Sequence, residues 1–235
     1  MSAVTGCRLI VPDGSLKEVV SKLLGDADCG VSYPGGDRSY LGMITNKRLF
    51  PPPFDIARRM RPWDAPKVVA RHRAELAFAG EDLVVEAGVE DQVVIVERFA
   101  LSRGGLGGTN LVLATPQDSP IQSVRDLTPE HEVATEYPTY AQKWFSQQGV
   151  NPEILAVHGS TEAFIGIADA IVDTTETGLS MKVAGLKVIG ELHQRSQVCL
   201  ITYQEALADK RQSQIIGEFR MLLNAVMAAE KAVCW

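Results

Sequence analysis

Short apolar runs alternate with amphipathic stretches along most of this 235-residue chain, the rhythm of an α/β protein. Residues 8–11 predict a first strand, closed by Asp13-Gly14. Over residues 15–24, Leu16, Val19, Val20, Leu23 and Leu24 recur at helical spacing, and Ser15 with Glu18 makes a capping box. Residues 28–53 are rich in Gly and Pro and predict loop or irregular hairpin, since the triplet Pro51, Pro52, Pro53 fits neither a helix interior nor a central strand. Asp64 is placed to cap a helix through about Arg73, with Pro66 tolerated in its first turn. A short strand (76–79), a short helix (81–86) and a β-branched run (91–101) follow. That run leads into a glycine-rich crossing at 103–108, where the first domain breaks off.

The same rhythm then restarts. Strands are predicted at 110–115, 132–136, 153–157 and 170–173, with helical segments at 121–127, 139–148 and 160–167; Gly149 suits the end of the middle one. Residues 187–192 and 198–202 predict strands returning to the first domain. The tail at 204–233 is helical, with an apolar stripe of Leu207, Ile215, Ile216, Phe219, Leu222, Leu223, Val226 and Met227 broken near Lys210, which reads as packing surface. The expected organisation is α/β, with residues 1–101 plus 187–235 as a discontinuous first domain and 102–186 as a second. Two adjacent crossovers predict a cleft between the domains, suited to a small molecule.

Composition narrows the class. A hydrophobic content of 46% with 22% charged residues is that of an ordinary globular protein. The net charge of −6 argues against nonspecific nucleic-acid binding. One basic concentration, Arg58, Arg59, Arg61, Lys67, Arg71 and Arg73, reads for the most part as a solvated helix face. The four cysteines are widely spaced, without metal-ligand or disulfide patterning, and predict reduced thiols. With neither a signal peptide nor a membrane span in view, a cytoplasmic protein is expected.

The candidate chemistry concentrates at residues 168–180. Ala170, Ile171 and Val172 form an apolar run that ends in Asp173, and the loop after it is hydroxyl, carboxylate and glycine. Ligands of open α/β sheets sit at such strand ends. Gly178 permits close backbone approach to a phosphate, and Thr174, Thr175, Thr177 and Ser180 carry donors for its oxygens. Asp169 and Asp173 suit ribose hydroxyls or a water-held Mg2+. The same composition also fits a strand-to-helix turn whose hydroxyls cap the next helix.

Several segments together resemble ATP phosphoribosyltransferase, which opens histidine biosynthesis. Arg61-Pro62-Trp63-Asp64-Ala65-Pro66 resembles the family's Arg-Pro-x-Asp-Ile-Pro, and residues 75–82 its Asp-Leu-Gly-Ile-Thr-Gly-x-Asp. Val133-Ala134-Thr135-Glu136-Tyr137-Pro138 matches Val-Ala-Thr-x-Tyr-Pro, and Gly159-Ser160-Thr161-Glu162 stands where the family has Gly-Ser-Val-Glu. Residues 168–173 and 176–180 follow its phosphoribosyl-diphosphate loop. The resemblance implies two α/β domains around a cleft, like type II periplasmic binding proteins. It implies attack of N1 of the ATP adenine on C1 of phosphoribosyl diphosphate, with Mg2+ bound and diphosphate leaving. Asp169 and Asp173 are the expected catalytic, sugar-binding acids. Asp173, Thr174, Thr175, Glu176, Thr177, Gly178, Leu179 and Ser180 are expected to form the phosphoribosyl-diphosphate site. Gly14, Ser15, Arg61, Asp82, Tyr137 and Glu162 are expected on the nucleotide side.

The chain departs from the family on that side. The first strand of the family ends in Lys-Gly-Arg-Leu, where this chain has Asp13-Gly14-Ser15-Leu16, a change that opposes a polyanion. A basic family position falls on Asn110, with Arg103 nearby as a replacement; Ala79 stands for a threonine. The alternative is therefore a non-catalytic or regulatory paralogue that binds phosphoribosyl diphosphate or another anionic metabolite. Long members carry a C-terminal regulatory domain, for which the residues after Thr202 are too few. Short members work with a regulatory subunit related to histidyl-tRNA synthetase, so a hetero-oligomer is implied.

Overall fold

A computed structural model of the chain describes residues 7–36, 38–52, 54–101 and 107–233. In chain order the first elements are β1 (Leu9–Pro12), α1 (Lys17–Asp26), β2 (Val31–Ser32), β3 (Leu41–Ile44), β4 (Ile56–Met60), α2 (Ala65–Ala70), β5 (Leu76–Gly80), α3 (Glu81–Glu86) and β6 (Val94–Phe99). Then come β7 (Thr109–Pro116), β8 (Glu132–Thr135), α4 (Pro138–Gln148), β9 (Glu153–Ala156), β10 (Ala170–Thr175), α5 (Leu179–Val183) and β11 (Leu186–Ser196). β12 (Val198–Thr202), α6 (Gln204–Ala208) and α7 (Lys210–Val233) close the chain. These elements form two compact units, Met1–Arg103 with Val198–Trp235, and Gly104–Gln197.

The first unit is built on a seven-stranded sheet in the order β2-β3-β4-β1-β5-β12-β6. β1 runs parallel to β4 and β5, whereas β12 is antiparallel to both its neighbours. Its core includes Phe50, Phe78, Phe99 and Phe219, with the Phe50 and Phe219 rings edge to face at 5.3 Å. The apolar stripe of the tail is used here. Ile215, Ile216, Phe219 and Leu223 are buried in this core, Leu207, Val226 and Met227 pack against it, and Leu222 is partly exposed. Helix α7 begins after Asp209, close to the predicted break.

The second unit is a five-stranded sheet in the order β11-β7-β10-β8-β9. β10 is parallel to β8 and antiparallel to β7. α4 ends at Gly149, whose φ of +74° requires the left-handed conformation. Two buried hydroxyls tie this sheet to its own backbone: Thr135 donates to the Val172 carbonyl at 2.9 Å, and Thr115 to that of Asp169 at 2.9 Å.

Several sequence expectations are corrected. Residues 187–192 belong to β11, which pairs with β7 in the second sheet; the return to the first unit is made by β12 alone. Arg58 and Arg59 lie on β4, a strand, not on a helix face. Arg59 is buried, donates to the Ser39 carbonyl at 2.6 Å and sits 4.5 Å from the Tyr33 ring centroid. The capping box of Ser15 and Glu18 does not form, because a 3-10 turn at Gly14–Leu16 precedes α1 and makes Leu16 its cap residue. Asp64 caps α2 by position without a side-chain hydrogen bond, and that helix ends at Ala70. Cys7, Cys29 and Cys199 are buried free thiols. Pro53, Arg103 and Cys234 lie outside the described residues, as does most of the glycine-rich crossing.

Candidate active site

In the second unit, the chemistry gathers where parallel strands β8 and β10 end. Ala170, Ile171 and Val172 are buried, which fixes β10 and delivers Asp173 to that edge half-buried. One Asp173 oxygen accepts the Thr174 N–H at 2.6 Å, and the other accepts the Thr161 hydroxyl. Thr161 is itself buried, in a 3-10 turn at Thr161–Phe164. Burial pushes the Asp173 carboxyl above the usual carboxylate range, its two donors pull against that, and the charges of Glu162 and Glu136 push it further up. Glu136 accepts the Gly159 N–H at 2.6 Å, and the Ser160 hydroxyl donates to Glu162. The edge therefore holds three carboxylates, two of them stitched into the loop that follows β9.

The loop after β10 is shaped by its own hydroxyls. Thr175, buried, accepts the Gly178 N–H at 2.9 Å and lies 3.4 Å from the Ser180 hydroxyl. Thr177 accepts the Leu179 N–H at 3.2 Å. Gly178 has φ of +75° and open space where a side chain would stand, as close backbone approach to a ligand requires. It also takes the cap position of α5, where no side chain caps the helix. Thr175 is thus loop-shaping. The Thr174 hydroxyl makes no hydrogen bond among the described residues, Glu176 is half-buried, and Ser180 is exposed. Leu179 offers a 63% exposed aliphatic side chain, so only its backbone suits a polar ligand.

Asp169 does not join this group. It precedes β10, about 13 Å of extended chain from Asp173, and its carboxylate accepts the Glu132 N–H at 2.8 Å where β8 begins. It ties two strand starts together, so the fold does not bring the expected pair of sugar-binding acids to one place. Tyr137 follows the end of β8 on the same edge as Asp173; it is 6% exposed and its N–H donates to Thr135 Oγ1 at 2.9 Å. Glu162 does reach the Asp173 edge.

The remaining expected residues belong to the first unit. β1, β4 and β5 are parallel, so Gly14, Ser15, Arg61 and Asp82 follow strand ends on one edge. The Asp13 N–H donates to the Met60 carbonyl at 2.8 Å and holds two of those ends together. Ser15 and Arg61 are exposed there, whereas Asp82 is 8% exposed and its carboxylate occupies the space that a side chain at Gly80 would need. Thr161 and Glu136 were not among the expected site residues. Both stand in segments that resemble the family, but only folding brings them to Asp173.

Two open α/β sheets with chemistry at the ends of parallel strands define a fold shared with periplasmic solute-binding proteins. The chain is similar to the periplasmic aliphatic sulphonate binding protein SsuA from Escherichia coli, with a TM-score of 0.57 at 13% identity over 98% of this chain and 75% of that one. It is also similar to a chain of the ATP phosphoribosyl transferase (HisG:HisZ) complex from Thermotoga maritima. There the TM-score is 0.75 at 22% identity, over 95% of this chain and 99% of that one. These two likenesses concern the fold.

The sequence carries the assignment further. Residues 61–225 match the family HisG, ATP phosphoribosyltransferase. The ATP phosphoribosyltransferase of Methanopyrus kandleri is 36% identical over 92% of this chain and 70% of its own length, and that of Methanocaldococcus jannaschii is 38% identical over 92% and 71%. The chain belongs to the ATP phosphoribosyltransferase family of histidine biosynthesis.

Proposed function

We propose that the chain joins N1 of the ATP adenine to C1 of phosphoribosyl diphosphate, with the sugar phosphate held at Asp173–Ser180. The N1 lone pair forms the new bond, and the C1–oxygen bond breaks with its electron pair leaving on diphosphate. The observation that carries this reading is Asp173, whose carboxylate is fixed by Thr161 and the Thr174 N–H directly before a loop with an open, left-handed glycine. An acceptor fixed in this way suits ribose hydroxyls, and the nearby charges of Glu136 and Glu162 favour positive charge developing at C1. The backbone around Gly178 and the hydroxyls of Thr174, Thr177 and Ser180 suit the 5-phosphate.

Gly14, Ser15 and Arg61 take the nucleotide on the first unit's edge, with Arg61 offsetting the charge lost at Asp13 and Ser15. Mg2+ arrives on the diphosphate. An ion of that kind keeps several waters and is held largely by substrate oxygens. A regulatory subunit related to histidyl-tRNA synthetase is the proposed partner. Its support is the match over 99% of a chain from a complex described as HisG:HisZ. Among the described residues no helix is long and apolar enough to cross a membrane.

The test is to incubate the chain with Mg2+, phosphoribosyl diphosphate and ATP, with and without that subunit, and to follow the N1-ribosylated product by absorbance. Product formation is expected. Its absence under both conditions, with phosphoribosyl diphosphate still binding by calorimetry, would refute ATP as the acceptor. Unchanged affinity in Asp173→Asn would refute the site.

A further inference from the structure

Strand β7 lies between β10 and β11, and its second residue touches both. Asn110 pairs with Thr175, the residue that opens the loop after β10. On the other side the register passes from His193 opposite Leu111 to Ser196 opposite Thr109. Gln194 and Arg195 therefore face Asn110 together, which is a β-bulge, and bulges beside active sites re-aim side chains.

This bulge is held by three features. The Arg195 N–H donates to Asn110 Oδ1 at 2.8 Å. Arg195 has φ of +53°, a left-handed conformation that a glycine would adopt without strain. Gly108 lies against it so closely that a side chain there would stand 3.0 Å from Arg195 Cα. The other two non-glycine residues with positive φ among the described residues, Asp28 and His72, follow the ends of α1 and α2, where that conformation is ordinary. Arg195 alone of the three interrupts a strand. Its side chain is exposed, and its guanidinium makes no hydrogen bond or ion pair among the described residues.

We infer that Arg195 is an anion-contacting residue of the phosphoribosyl-diphosphate site, bringing positive charge from β11 to the loop after β10. The inference rests on the site reading given above. Arg195 and Thr175 are two strand spacings apart, about 10 Å, a gap that a phosphate and an extended arginine side chain fill. A guanidinium fork matches phosphate oxygens in pairs. The need for it is electrostatic: Asp173, Glu136 and Glu162 make this edge acidic, and the chain as a whole carries −6. Asn110 has a new task in this arrangement, because its side-chain oxygen holds the backbone that presents the arginine.

The experiment measures phosphoribosyl diphosphate binding by calorimetry at low and moderate salt for the parent chain, Arg195→Gln, Arg195→Lys and Asp173→Asn. Loss of one charge-assisted phosphate contact corresponds to a roughly tenfold weaker affinity or more. Arg195→Gln keeps the backbone problem and removes the charge, so it is expected to lose about that much and to show a shallower salt dependence. Arg195→Lys is expected to recover part of both. If Arg195→Gln binds with the parent's affinity and salt dependence while Asp173→Asn is impaired, the role of Arg195 is refuted and the site stands. If Asp173→Asn is unimpaired, the site reading beneath it is wrong. Equal losses in Arg195→Gln and Arg195→Lys, with parental salt dependence in both, mean that the bulge matters for shape and not for charge, which also overturns the inference.

Discussion

Removing the Thr161 hydroxyl is expected to move the acid limb of activity upward in pH. Thr161→Val deletes the donor to one Asp173 oxygen and keeps the size of a side chain that is 2% exposed. The Thr174 N–H on the other oxygen remains. Asp173 already titrates above the usual carboxylate range, burial being the largest cause and the Thr161 hydrogen bond one of two donors that oppose it. Losing a donor to the charged form raises the group further. A hydrogen bond to a charged group contributes about 1.5–3 kcal/mol. Water can reach the half-buried carboxylate and replace part of the lost bond, so the low end, about 1.5 kcal/mol, applies. If only ionised Asp173 holds the ribose, kcat/KM for phosphoribosyl diphosphate in Thr161→Val falls off at a higher pH than in the parent. Well above that limb the two enzymes converge, and Thr161→Ser restores the parental profile. An acid limb in Thr161→Val that overlays the parent's would refute the reasoning, because a packing role alone lowers activity at every pH.

Asp173→Asn is expected to bind phosphoribosyl diphosphate poorly yet to unfold at a higher temperature at neutral pH. The sign follows from linkage: a carboxyl raised on folding binds more protons folded than unfolded, so stability falls as pH rises from the ordinary carboxylate range through the raised value. The variant removes that loss, and in thermal melts across pH its Tm gain is largest above this window and vanishes below it. Asp169→Ala deletes the tie to the Glu132 N–H and is expected to cost about 1 kcal/mol, or roughly 2–4 °C in Tm, with phosphoribosyl diphosphate affinity unchanged; a large loss of affinity would return Asp169 to the site. Burial raises the Cys7 thiol to about 12, that of Cys29 to about 11, and that of Cys199 as well. Site-resolved mass spectrometry after iodoacetamide treatment at pH 8 should find these three unmodified in the native protein and modified in urea; rapid native labelling would contradict their burial.

The elements that sequence patterning reached best are those whose signal is local. β10, α3 and α4 are written in apolar runs, acidic first turns and a terminal glycine, and none of those cues needs a partner strand. β4 was hidden because Arg58 and Arg59 break its apolar run, and the burial of Arg59 depends on Tyr33 and the Ser39 carbonyl far away in sequence. β11 was seen as a strand, but no residue in it states which sheet it joins. The two aspartates flanking the β10 run look alike in composition. Strand direction separates them, because ligands gather at the C-terminal ends of parallel strands, and Asp169 precedes β10 whereas Asp173 lies in its C-terminal half. That distinction was available in the sequence, unlike the contact between Thr161 and Asp173.

An acidic edge is an unexpected place for a polyanion, and the proposed site resolves this by dividing its charges. Phosphoribosyl diphosphate is negative at its 5-phosphate and its diphosphate, but the reacting carbon between them turns positive as the leaving group departs. Carboxylates belong beside that carbon and the ribose hydroxyls, and cations belong at the phosphates. Asp173, Glu136 and Glu162 are the acids of the β8–β10 edge, while Arg195 stands to one side on the edge strand β11. On this reading the cation sits one strand outward from Asn110, whose side-chain oxygen fixes the backbone that presents it, and the cost is a strained arginine at a bulge with Gly108 packed closely against it. A basic residue at position 110 should then fail to rescue Arg195→Gln fully, because a cation there no longer holds the bulge through a side-chain oxygen. Complete recovery of phosphoribosyl diphosphate affinity in Asn110→Arg combined with Arg195→Gln would show the two positions to be simple substitutes, with no part for the bulge.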